Sequence, residues 1–137
     1  MTLVNFKKMA KGPEDLLRII IALVFISAGI FRIFNPEASR SELQALNVPQ
    51  ITSWVVIFLE VLGGLYLLFK IKYWKNIVYI FIIFLLTALL IALKVDAQNI
   101  LNNLEELFVF DVNPTDLFLH IIFIIILLSL VLKKKRK

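Results

Sequence analysis

Residues 54–69 read WVVIFLEVLGGLYLLF, an apolar run broken by one ionisable side chain, Glu60. Extended back to Ile51, the run is long enough to cross a lipid bilayer as a helix, with its charged flanks snorkelling to the surface. In hydrocarbon only helices and closed barrels satisfy their own backbone hydrogen bonds. The stretch lacks the strict alternation of a barrel strand, so a helix is expected.

Three further runs of the same kind, Leu16–Phe34, Ile77–Leu93 and Leu117–Leu132, flank it. As helices of 16–19 residues the four would be roughly 24–29 Å long, against a hydrocarbon core of about 30 Å. The 137-residue chain is 61% hydrophobic, well above the roughly 45–50% of soluble domains. The expected fold is an all-α membrane protein. It is a single domain over residues 1–137, a bundle of four transmembrane helices near 14–34, 51–70, 75–95 and 115–132. The absence of cysteine excludes disulfides, thiolate metal sites and a thiol–disulfide relay through this chain.

Basic residues set the expected orientation. Lys7, Lys8, Lys11 and Arg18 precede or open the first run; Lys70, Lys72 and Lys75 join the second to the third; the tail ends in KKKRK, residues 133–137. The opposite connections hold only Arg32, Arg40 and Lys94 among the acids Glu37, Glu42, Asp96, Glu105, Glu106, Asp111 and Asp116. By the positive-inside rule both termini are cytoplasmic, and the protein is multi-pass, in the cell membrane if its source is prokaryotic. The tail abuts a membrane helix and is read as a headgroup anchor, not a nucleic-acid patch. Residues 1–30 have the outline of a signal peptide, but their apolar run is long and leads straight into Arg32, which favours an uncleaved first helix.

Punctuation between the runs is clear. Pro13 with Glu14 and Asp15 suits a first helical turn. Residues 1–12 fit a surface helix or a frayed tail equally well. Asn35-Pro36 marks a turn, and Ser39 with Glu42 has capping-box spacing for a short outer helix stopped by Asn47-Val48-Pro49. In the second outer segment Ile100, Leu101, Leu104, Leu107 and Phe108 recur at helical spacing, predicting a second amphipathic helix. Asn113 to Asp116 then opens the last span. Trp54 falls at the outer aromatic belt, Tyr73 and Trp74 at the inner one.

Charged residues inside such runs are the candidates for function. In the second span Ser53, Val56, Ile57, Glu60, Gly63, Gly64 and Leu67 share one stripe. Glu60 should face the bundle interior, since an ionised carboxylate against lipid costs about 2.5 kcal/mol or more. Gly63 and Gly64, with Gly29 in the first span, are expected to let helices approach closely. Glu60 has two candidate partners by depth, Arg32 and His120. Asp116 lies one turn before His120 and can fix its tautomer. A metal site from Glu60, Asp116 and His120 is disfavoured, because it offers a single nitrogen ligand. Glu60 is left with two roles, setting helix register or handling a ligand or proton.

The segments LLRIIIALVFISAGIFRIFNP (16–36), NVPQ (47–50) and LEVLGGLYLLF (59–69) resemble the DoxX family of small four-helix membrane proteins. That resemblance rests on Arg18, Gly29, Arg32, Pro49, Glu60, Gly63 and Gly64, with Asn47 standing where the family has glycine. It implies a four-helix bundle with cytoplasmic termini and, more loosely, association with redox enzymes. The expected function is a non-catalytic accessory or assembly subunit of a membrane redox complex, not an enzyme on its own. The alternative is a quinone- or lipophilic-ligand-binding subunit of an oxidoreductase, with Arg32, Glu60 and His120 at the ligand. A proton or small-solute path ranks last, because four short helices enclose a narrow conduit. Expected partners are the bilayer and a larger membrane complex or a second copy of the chain, with no nucleic acid. No intrinsic cofactor is expected, and quinone is the ligand class raised.

Overall fold

The computed structural model describes residues 12–102 and 117–132, which form five α-helices. They are α1 (Pro13–Phe34), α2 (Pro36–Ala45), α3 (Thr52–Leu68), α4 (Trp74–Asn102) and α5 (Leu117–Leu132). Two stretches, Pro13–Phe34 and Trp74–Val95, are long and apolar enough to cross a membrane, and Thr52–Leu68 and Phe118–Leu132 are shorter apolar helices.

α1 opens on Pro13, with Glu14 and Asp15 in its first turn, where the missing proline N–H costs nothing and acids meet the positive end of the helix dipole. It ends at Asn35, whose backbone leaves the helical region (φ −127°, ψ 68°), as a residue before proline is disposed to do. Asn35 N–H and Nδ2 both donate to the Phe31 carbonyl, at 2.9 and 3.0 Å. The same Pro36 starts α2. The capping box expected at Ser39 is therefore not formed: the helix begins three residues earlier, and Ser39 is buried inside it, its Oγ 2.6 Å from Ser53 Oγ.

α2 closes with the Val48 N–H donating to Leu43 O and the Asn47 N–H to Gln44 O, around a left-handed Asn47 (φ 53°). This is a Schellman end, which requires a residue tolerating positive φ. Lys70 plays the same part after α3 (φ 50°), with Ile71 N–H donating to Tyr66 O and Lys70 N–H to Leu67 O.

α4 is the largest departure from the sequence expectation. It runs unbroken through Lys94 to Asn102, past the expected end near 95, because no proline or glycine interrupts the segment. The remainder of the second outer segment, the N-terminal tail, Asp116 and the basic C-terminus lie outside the described residues.

The helices associate as two pairs, α1 with α3 and α4 with α5. Arg18 at the start of α1 meets Leu67 and Leu68 at the end of α3, while Arg32 at the end of α1 reaches back to Glu60, so the first pair is antiparallel. The pairs meet in a core of Ile21, Ala22, Phe25, Leu67, Val78, Phe81, Leu85 and Leu127. Phe25 and Phe81 stack across the seam with ring centroids 3.9 Å apart. Trp54, Phe58, Leu62, Ile83 and Ile125 project outward, an apolar exterior suited to lipid, while the charged Arg18 and Glu60 are buried.

Candidate functional site

At the α2 end of the bundle, three charged side chains from three helices meet. Arg32 Nη1 donates to both oxygens of Glu60, at 2.5 and 2.6 Å. Its Nη2 donates to both oxygens of Glu42, at 2.7 and 2.9 Å, and its Nε to Glu42 Oε2 at 3.2 Å. One guanidinium thus bridges two carboxylates, and its planar fork matches such bidentate pairing. Glu60 is almost fully buried, while Arg32 and Glu42 retain 18% and 22% side-chain exposure, so the cluster grades from bundle interior to surface.

Local structure places each member. The buried stripe of α3 is Ile57, Glu60, Gly63, Gly64 and Leu67, which delivers Glu60 inward. Gly29 on α1 lies so near α3 that an added Cβ would stand 2.6 Å from Val61 Cγ2 and 3.1 Å from Glu60 Cβ. At Gly64 the added atom would stand 2.6 Å from Ile26 Cγ1 and 3.0 Å from the Ala22 carbonyl. Gly63 faces α4, where Phe81 would be 2.7 Å away. Missing side chains on both helices hold α1 and α3 at the separation that lets Arg32 reach Glu60.

Beside the cluster lies a cavity of about 380 Å³ lined by residues from all five helices, within the roughly 300–1,000 Å³ typical of small-molecule sites. Arg32, Glu42, Glu60, His120, Thr52 and Thr87 supply its polar wall; Val56, Leu59, Phe84, Ala88 and Phe123 are among the apolar lining. Of the residues singled out in the sequence, the structure therefore brings Arg32, Glu60 and His120 to one cavity. Between the two candidate partners, Glu60 pairs with Arg32. Asp116 lies outside the described residues.

Glu42 went unrecognised as a member, because its spacing from Ser39 suggested a cap. A signal was present nonetheless. Arginine carries five N–H donors, more than one buried carboxylate can fill, so a second acceptor near the end of α1 was to be expected.

A second arginine, this one fully buried, sits at the opposite end. Arg18 donates through Nη1 to the Leu67 carbonyl and, at 2.8 Å, to the Leu68 carbonyl. These are last-turn carbonyls of α3 with no partner inside their own helix, and a cation there also meets the negative end of the dipole. Arg18 further contacts Asp15, which Lys70 reaches at 2.9 Å.

Residues 11–101 of the 137 match the family described as Methylamine utilisation protein MauE. No curated protein and no solved structure matches the chain significantly.

Proposed function

The chain belongs to the MauE family, and from that premise we propose that it is a non-catalytic accessory protein of a membrane redox system, acting by holding a lipophilic molecule in its cavity. Membership makes it a small integral membrane protein. The family's name points the proposal toward amine utilisation. The likeness of the first half to DoxX proteins supports the same accessory role. We further propose four spans, with α3 and α5 crossing alongside α1 and α4, and both termini cytoplasmic, on the strength of the basic residues flanking them.

The observation that carries the ligand reading is the cavity itself: a largely apolar chamber with the Arg32–Glu42–Glu60 cluster in its lining, the common form of a small-molecule site. Quinone, the ligand class raised by the sequence, would find Arg32 already engaged by two carboxylates and the Thr52 and Thr87 hydroxyls already donating to the Pro49 and Ile83 carbonyls, so its fit rests on the apolar lining around Leu59, Phe84 and Phe123.

Native mass spectrometry of the full chain, extracted gently from its own membrane, tests the proposal. A stoichiometric small adduct is expected, lost in Ala88→Phe, which fills the cavity without touching a charge. Bare wild-type protein under conditions that preserve bound lipid would remove the ligand-holding role.

A further inference from the structure

The charged wall of the cavity is not neutral. Two carboxylates, Glu42 and Glu60, share one guanidinium, so by formal charge this cluster of three has one carboxylate in excess. Its hydrogen bonding is unbalanced in the same direction. Nε, Nη1 and Nη2 of Arg32 all donate to the glutamates. Each carboxylate has about four lone-pair sites, while Glu60 accepts two of these bonds and Glu42 three. The cluster therefore offers acceptors, and the donors of Arg32 are already spent.

Apart from His120, Thr52 and Thr87, the rest of the cavity lining is apolar, with Val56, Leu59, Phe84 and Ala88 among it. A net charge against such a surface is poorly solvated and favours a compensating partner. A compact ammonium group carries three donors and one positive charge, and an apolar body behind it matches the remaining wall.

On the footing that the cavity is a ligand site, we propose that its ligand class is a protonated primary amine carried on an apolar body. The ammonium sits against Glu42 and Glu60 without displacing Arg32, and the hydrocarbon lies along Phe84 and Ala88. Neutral and anionic amphiphiles of the same length are discriminated against, the neutral one for lack of charge and the anionic one by repulsion.

Three probes of one chain length decide this: octylammonium, octanol and octanoate, each titrated into the full chain in phosphatidylcholine nanodiscs, with empty discs subtracted. Octylammonium is expected to bind at least tenfold more tightly than octanol, with octanoate weakest. Glu42→Gln removes the excess charge and leaves Arg32 paired with Glu60, so the amine's affinity should fall to that of octanol. Ala88→Phe should abolish binding of all three. Equal affinity for amine and alcohol in the wild type would overturn the proposal while leaving a lipophilic site in place. Failure of all three to bind would overturn both this proposal and the ligand site beneath it. Should Glu42→Gln not fold, the wild-type ranking alone still decides.

Discussion

At the scale of single residues, the protein turns on how one arginine is shared. Arg32 gives donors to Glu42 on one side and Glu60 on the other, so the three substitutions are not equivalent. Arg32→Leu leaves a buried carboxylate facing another with no cation between them. We expect it to cost about 3 kcal/mol, the low end for breaking a buried pair because Arg32 keeps some exposure. Glu60→Gln preserves shape and leaves the Glu42 pair intact, and its cost is expected to be nearer 1 kcal/mol. The double variant Arg32→Leu/Glu60→Leu should be more stable than Arg32→Leu alone, since it removes the stranded charge. Thermal unfolding in detergent, followed by circular dichroism, ranks the three. An Arg32→Leu protein as stable as wild type would mean the cluster does not hold the bundle together.

At the scale of elements, backbone geometry explains two residues that side-chain chemistry does not. Asn47 occupies the left-handed position that ends α2 (φ 53°), where glycine is strain-free and asparagine is the next best residue. Asn47→Gly is expected to be nearly neutral, whereas Asn47→Val should lose about 1–2 kcal/mol to Cβ strain; equal melting temperatures for the two would show that the turn rearranges. Gly64 reflects a close helix approach, since a side chain there would press on the Ala22 carbonyl and the Ile26 backbone. A helix backbone cannot swing aside as a side chain can, so Gly64→Val should force α1 and α3 apart at a cost of about 2 kcal/mol or more. Gly63→Ala meets only the tip of the Phe81 ring and is expected to be milder. A Gly63→Ala protein less stable than Gly64→Val would reverse the assignment of the tight crossing to α1 and α3. The short helix α2 owes its seat to contacts on both neighbours, Glu42 to Arg32 on α1 and Ser39 to Ser53 on α3.

At the scale of the whole molecule, the absence of native cysteine makes topology directly measurable. Ser41 on α2 and Asn76 near the start of α4 are both exposed. With both termini cytoplasmic, a single cysteine at Ser41→Cys should react with a membrane-impermeant maleimide in intact cells, and one at Asn76→Cys only after the cells are permeabilised. The opposite pattern would invert the protein in the membrane, and labelling of both in intact cells would remove the four-span arrangement.

Much of this was legible in the chain. Apolar run length was enough to place α1, α3, α4 and α5 to within a few residues at most ends, because burial of backbone hydrogen bonds in lipid leaves so few alternatives. The stripe through Glu60, Gly63 and Gly64 marked the inward face of α3 for the same reason, since a carboxylate on the lipid side is too costly. Local pattern failed where two local signals competed. Ser39 and Glu42 have the spacing of a cap, but Pro36 starts the helix first and frees both side chains for tertiary bonds. Likewise, polar residues after Lys94 suggested a break in α4 that the backbone, without proline or glycine, does not make. The partner of Glu60, the enrolment of Glu42 and the gathering of His120 beside them were decided only by the tertiary structure. Spacing along a chain fixes which face a side chain occupies, whereas the distance between faces depends on how closely the helices pack, and here that is set by the glycines at the crossing of α1 and α3.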